Sequence, residues 1–286
     1  RIKYEISDQF IKIIKKTVLS ILRFVSIDLP IKTEILLPNF GSVEVGKKLI
    51  NSHYVFSGVE FDLDVDNPWL IEIPSREVES ALHGFFWLND LAAMGGSKAR
   101  NLALEWIKKW YFYNKKGNKL GWDIDITALR CINILKNLQF LNGGKNSSLE
   151  FDSKFLTEHY RYLGLTVWFH PKGLQKLQAV YALFLLTVAF DRSMRSQKKL
   201  LRKLCRTIFE SVNLNGKISS RSPEDFLEYF VIVIEVLRFQ EEKNYFSGKD
   251  YKNLQKLKET MVPILRGLRL GNGSLTRSHG GDTSPT

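Results

Sequence analysis

Two periodicities of apolar residues run along this chain, and the changes between them divide it. From Ile2 to Val25, Ile and Phe positions recur at helical spacing among Lys12, Lys15, Lys16 and Arg23, which predicts a leading basic amphipathic helix. Asp28 to Pro38 carries two prolines and reads as an extended linker. Residues 41–66 then alternate with a period of two: Val43 and Val45, Tyr54 and Phe56, and Val59, Phe61, Leu63 and Val65. Short strands with turns at Gly46 and at Ser57-Gly58 are the simplest account of that stretch. From Ser75 the pattern is helical nearly to the end. It is broken at Gly95-Gly96, Gly117, Gly121, Gly143-Gly144, Pro171 with Gly173, Asn213 to Gly216, Pro223 and Gly248. The helices fall at 76–94, 97–115, 124–141, 150–168, 173–190, 194–212, 223–241 and 249–269. Their recurrence at roughly 25 residues predicts an all-α protein of antiparallel helical hairpins, with a bundle, a solenoid and an α/α barrel all compatible.

Composition narrows the partners more than the fold. The 286 residues carry 42 Lys and Arg against 30 Asp and Glu, a net charge of +12. Such a surplus favours an anionic partner: nucleic acid, a membrane surface or an acidic polysaccharide. Cys131 and Cys205 exclude a disulfide scaffold and a cysteine-rich zinc site, and both fall in apolar helical patterns that predict core thiols. The longest apolar run, Ala179 to Phe190, is far short of the roughly 20 residues a transmembrane helix needs. No signal peptide is visible at the N-terminus, since its apolar positions are interrupted by lysines. The chain contains no GxSxG, Walker loop, GxGxxG, HExxH or CxxC, and its five histidines are scattered. No metal or cofactor is therefore expected.

Four tracts could carry chemistry. In LHGFFWLNDL at 82–91, His83, Trp87 and Asp90 share one face of a continuous helix, an arrangement suited to a sugar; a core aromatic stripe fits the same pattern. Trp69, Trp87, Trp106, Trp110 and Trp122 would form a stacking platform if they lined a cleft, or would fill the gaps between helices. In DRSMRSQKKLLRKLCR at 191–206, Arg195, Lys199, Arg202 and Arg206 make a cationic stripe able to track phosphates or uronates, or simply a solvated face. Finally, Ser222 and Pro223 predict a helix start, and Lys217 and Arg221 precede it where an anion is favoured. Asp123 and Asp125 fit helix capping better than glycosidase work.

The order of several blocks resembles the bacterial heparinase II/III-like proteins, in particular their helical N-terminal part. These blocks are the stretch ending NPW at 67–69, LHGFFWLNDL, ARNLALEWIKKW at 99–110, GWDIDITALR at 121–130, GLQKLQA at 173–179, NGKISSRSP at 215–223, MVPILRGLRLGNGSL at 261–275 and RSHGG at 277–281. The resemblance covers about residues 41–281 and implies an incomplete α/α toroid with a small N-terminal β-hairpin element. Residues 1–40 would be a leading helix and linker, 41–72 a short β element, 73–270 the toroid, and 271–286 a flexible tail before a β-sandwich. The implied activity is β-elimination on uronate-containing acidic polysaccharide in the periplasm or cell envelope, with no nucleic acid as partner. Such a lyase neutralises the uronate carboxylate, removes the acidified C–H proton with a base and protonates the leaving oxygen.

The catalytic places of the resemblance are substituted here. Leu174 and Gln175 stand where an Asn-His pair follows the glycine, and Asp225 and Phe226 where a Tyr-His pair follows Ser-Pro. The expected stand-ins are Tyr229, His170 and His83 for proton exchange, with Trp87, Trp122, Lys217, Arg221 and Gln175 binding substrate. A catalytically degenerate glycan-binding protein and a basic helical nucleic-acid binder remain the alternatives.

Overall fold

A computed structural model of the chain describes residues 2–22, 28–56, 59–62, 67–70, 75–115, 120–143, 153–218, 220, 222–243, 245 and 248–270. Twelve α-helices and one two-stranded sheet make up the described residues. The leading helix α1 spans Ile2–Leu22. The linker after it is tied down by its backbone: Leu29 N–H donates to Thr157 Oγ1, and the N–H groups of Lys32 and Thr33 both donate to the carbonyl of Ala189.

Residues 43–50 depart from expectation. They form helix α2 (Val43–Ile50) and not a strand. End signals outweigh the Val-x-Val alternation: Ser42 Oγ accepts the N–H of Val45, Glu44 sits in the first turn, and Lys47 and Lys48 in the last. Gly46 is therefore not a turn but a mid-helix contact point. The hairpin that follows pairs β1 (His53–Phe56) with β2 (Val59–Asp62) antiparallel, Phe56 opposite Val59, so two residues connect the strands as predicted.

The predicted segment 76–94 is two helices, α3 (Arg76–Gly84) and α4 (Trp87–Met94). Phe85 takes a left-handed conformation, φ 62°, and buries its ring, which turns the chain between them. Helix α5 (Gly96–Asn114) follows, then α6 (Ile124–Lys136), the short α7 (Leu138–Leu141) and α8 (Ser153–Thr166). Beyond these lie α9 (Leu174–Ala189), α10 (Met194–Ser211), α11 (Pro223–Lys243) and α12 (Lys249–Gly267). Ser222 caps α11 as predicted, its Oγ accepting the N–H of Asp225, with Pro223 at the first helical position. The predicted tail 271–286 lies outside the described residues.

The chain divides into two compact units. The first comprises residues 1–170 and 185–191, the second residues 171–184 and 192–286. In the first unit, α2 lies along α4 because residues with no side chain allow the approach. A methyl at Gly46 would run into the carbonyl of Asp90, and one at Gly41 into that of Asn89. Ser42 N–H donates to Asp90 Oδ1 at 2.8 Å, and four asparagines continue the seam. Asn39 donates to Asn137 Oδ1, Asn137 to Asn89 Oδ1, Asn89 to Asn133 Oδ1, and Asn133 to the carbonyl of Gly84. In the second unit, Leu201, Leu204 and Ile208 of α10, Phe226, Val233 and Val236 of α11, and Leu254, Leu257 and Met261 of α12 are buried. Gln197 links α10 to the segment before α12, accepting from the Tyr245 hydroxyl and donating to the carbonyl of Arg192.

Two outcomes follow from the α2–α4 seam. Gly46→Ala should destabilise the protein by roughly 1–3 kcal/mol in urea unfolding, because backbone meets the new methyl. Burial raises the Asp90 carboxyl from 3.8 to about 6, the Ser42 N–H working against the rise. The fold then binds a proton there that the unfolded chain does not, so this contribution is present at pH 4 and lost as pH rises through about 6. Wild type should lose up to about 3 kcal/mol relative to Asp90→Asn between pH 4 and pH 7. A pH-independent difference between the two would contradict that assignment.

Candidate functional site

The residues expected to serve a sugar in the first unit are core residues. Trp87, Trp106 and Trp110 are fully buried and Trp122 is 2% exposed. Their rings pack on one another, Trp87 on Trp106 at 5.0 Å between centroids and Trp110 on Trp122 at 5.8 Å. The indole N–H of Trp87 donates to the carbonyl of Leu82, and that of Trp122 to the carbonyl of Asn114. The expectation that Trp87 and Trp122 stack on substrate is thus corrected: neither presents a face to solvent. The shared helical face of His83, Trp87 and Asp90 is corrected too, since the turn at Phe85 places His83 on α3 and the others on α4.

His83 is buried and engaged on both sides. Trp110 Nε1–H donates to His83 Nδ1 at 2.8 Å, so the ring proton sits on Nε2, which lies 3.9 Å from the Glu79 carboxylate. A histidine whose acceptor nitrogen is taken by an indole has no free lone pair for proton exchange with a substrate.

At the centre of this cluster is a charge. Arg130 is completely buried, and no carboxylate of the described residues pairs with it. Its guanidinium lies 3.8 Å from the centre of the Trp110 ring, with Phe85 and Trp122 each at 5.7 Å. Its Nε–H donates to His159 Nε2 at 3.0 Å, and a terminal N–H donates to the carbonyl of His83 at 2.8 Å. His159 therefore carries its proton on Nδ1 and donates it to the carbonyl of Phe155. Burial, then the neighbouring cation, holds His159 well below the ordinary histidine range, so its ring is neutral. Burial likewise lowers Arg130 to about 9, which leaves it charged at neutral pH.

Sequence reasoning missed the exposed aromatic tract of this unit. Residues Val167–Phe169 form a 3₁₀ turn after α8. Trp168 is 39% exposed and Phe169 51%, with Phe10 of α1 against Phe169 at 6.1 Å. His170, an expected site residue, follows directly and is half-buried. The signal was present as Trp-Phe-His before the helix-breaking Pro171, but the denser tryptophans upstream drew the prediction. The same unit has an open cavity of about 440 Å³ lined by Gly96, Ser97, Arg100, Gln139, Phe140 and Gly143, none of them an expected site residue.

In the second unit, Tyr229 is buried, and burial raises its hydroxyl above the ordinary tyrosine value, Ser211 pulling the other way. That shift opposes formation of a phenolate base. Lys217 is exposed, and the loop carrying it is folded on itself: its N–H donates to Asn213 Oδ1, with Val212 bridged to Ile218. Arg221 lies outside the described residues. The anion expected at the start of α11 meets Glu224 and Asp225 in the first turn, and Ser222 Oγ donates to the Glu224 carboxylate. The helix end is thus already served by acids of its own. Gln175 is exposed on the first turn of α9, while Phe226 is a core residue at 4% exposure. Both cysteines are buried thiols, as predicted, each raised to about 12 by burial. Among the described residues no three His, Cys, Asp or Glu side chains group as metal ligands, and no helix is long and apolar enough to cross a membrane.

No family model matches this chain. FtsZ-localized protein C of Caulobacter vibrioides is 25% identical over 240 residues, which cover 83% of this chain and 41% of that protein. Among solved structures, heparan sulfate lyase HepC from Pedobacter heparinus is similar with a TM-score of 0.58 and 15% identity, over 94% of this chain and 45% of that one. The chain spans less than half the length of either protein. The structural likeness shows a heparinase-like helical fold and bears out the predicted all-α class of the α/α-toroid type.

The Arg130 cluster has a direct consequence for stability. Arg130→Ala should cost about 3–5 kcal/mol, because His159 Nε2 and the carbonyl of His83 lose buried donors and the rings lose their cation. Arg130→Lys should recover little of it, since one ammonium cannot reach both acceptors and the Trp110 face in the same geometry. Urea unfolding of the three proteins measures both.

Proposed function

We propose that this chain is the helical, acidic-polysaccharide-binding part of a lyase-like protein, and that it does not carry the proton transfers of elimination with the residues described. The fold likeness to a heparan sulfate lyase along nearly the whole chain is the observation that carries this reading. A net charge of +12 suits a polyanionic chain. Support for the non-catalytic half comes from the candidate acid–base groups: Tyr229 is buried with its hydroxyl raised, and His83 is bonded to Trp110. The places where the resembling lyases keep the histidines of the Asn-His and Tyr-His pairs hold Gln175 on the surface and Phe226 in the core. Trp168, with Phe169 and His170, is a surface aromatic group suited to stack on a pyranose.

A second reading has one observation in its favour, the identity to FtsZ-localized protein C over 83% of the chain. In that reading the helical part serves to localise a protein and not to hold a glycan. Co-sedimentation with polymers of FtsZ, undiminished by acidic polysaccharide, would favour it.

Binding to a panel of acidic and neutral polysaccharides, recorded alongside ultraviolet absorbance of unsaturated uronate, tests the main proposal. The expected result is salt-sensitive binding to acidic chains, weakened several-fold by Trp168→Ala, with no rise in absorbance. A rise in absorbance would restore a lyase acting through this chain. No binding to any acidic chain would overturn the proposal.

A further inference from the structure

Helix α10 carries a surface charge that its own fold does not reward. Between Asp191 and Glu210 there is no acidic residue, yet the helix bears Arg195, Lys198, Lys199, Arg202, Lys203 and Arg206. Arg195, Lys199, Arg202 and Arg206 are all exposed, and none of the four makes an ion pair among the described residues. The acid at i,i+4 to Arg206, Glu210, pairs with Lys172 instead, and no acid within α10 stands at i,i+4 to Arg195, Lys199 or Arg202. Arg195 sits in the first turn, where the helix dipole disfavours a cation. The opposite face is fully committed, Leu201, Leu204, Cys205 and Ile208 all being buried.

The four cations form a straight track. Helical geometry places them within about 60° of arc, in steps of about 4.5–6 Å, over about 16 Å of axis. That step matches the length of one pyranose along an extended chain. A polymer with one anion per sugar would meet a cation at every residue, whereas one anion per disaccharide would leave every second cation unmatched. The other polyanions fit less well. The only aromatic side chain in α10, Phe209, is half-buried, so the helix itself offers no base-stacking platform. Of the large apolar side chains on α10, only Met194 is strongly exposed, which gives the helix little to insert into lipid.

We infer that the exposed face of α10, through Arg195, Lys199, Arg202 and Arg206, is a docking track for an acidic polysaccharide carrying about one negative charge per sugar residue. This rests on the polysaccharide reading above and adds the surface and the charge density it selects.

Titration calorimetry with the whole chain tests it at low and moderate salt. The ligands are polygalacturonate (one carboxylate per sugar), hyaluronan (one per disaccharide), a single-stranded DNA of matched charge number, and vesicles rich in anionic lipid. Wild type should bind polygalacturonate at least roughly tenfold more tightly than hyaluronan. The R195Q/K199Q/R202Q/R206Q variant should lose at least roughly tenfold in affinity and flatten the salt dependence. The control K249Q/K252Q/K256Q on α12, also exposed lysines, should change little. Far-ultraviolet circular dichroism confirms that both variants are folded. Equal affinity of wild type and the α10 variant for polygalacturonate would overturn the track while leaving the polysaccharide reading intact. Equal affinity for the two glycans would overturn the charge-density match. Tighter, α10-dependent binding of DNA or vesicles would replace the occupant. No binding of wild type to either glycan would overturn the polysaccharide reading itself.

Discussion

A cation with no carboxylate partner among the described residues organises the first unit. An arginine taken out of water loses hydration worth many kcal/mol and needs partners that restore it. Arg130 finds them in the face of Trp110, the ring nitrogen of His159 and the carbonyl of His83. Each partner then acquires a second obligation. His159 must keep its proton on Nδ1 to hydrogen-bond the carbonyl of Phe155, and its ring stacks between Phe155 and Trp122. Trp110 must turn its indole N–H to His83. Trp110 and Trp122, which look like part of a binding platform in sequence, are therefore walls of a buried charge.

The α2–α4 seam obeys a different constraint, close approach. Glycines at 41 and 46 remove the side chains that would hold the backbones apart, and the backbone polar groups so exposed to one another are met by Asp90 and the asparagines. Polar groups buried in this way are tolerated only when each finds a partner, and here amide side chains supply them in sequence. Together, the arginine cluster and the asparagine chain engage His83, Asn89, Asp90, Arg130 and Asn133, polar residues of α3, α4 and α6 that a substrate would otherwise have had to meet.

Chemistry is thereby moved outward. The accessible groups include Trp168 and Phe169 on the 3₁₀ turn after α8, Lys217 on a tight loop, and the cations of α10. They offer aromatic faces and fixed positive charge, without an exposed, polarised base among the expected acid–base residues of α3 and α11. A helical fold shared with a lyase is compatible with that division, because folds are reused and reactions belong to the sites built on them.

The helix order from Ser75 onward was legible in the chain because breakers and caps act locally. Gly95, Pro171, Ser222-Pro223 and Gly248 each stop or start a helix through backbone geometry that no distant residue needs to supply. The hairpin at 53–62 was legible for the same reason, and so were the two core thiols. Three features were decided only by tertiary structure. Residues 43–50 carry both a strand-like alternation and helix end signals, and docking on α4 at Gly46 decides for the helix. Phe85 breaks α3 from α4 by turning left-handed so that its ring can be buried, which no local signal encodes. Finally, periodicity marks aromatic, histidine and tyrosine positions as inward-facing without saying whether inward means a cleft or a core. For His83 and Trp122 that choice was made by an arginine whose charge had to be enclosed, and for Trp87 and Tyr229 by burial within their own units.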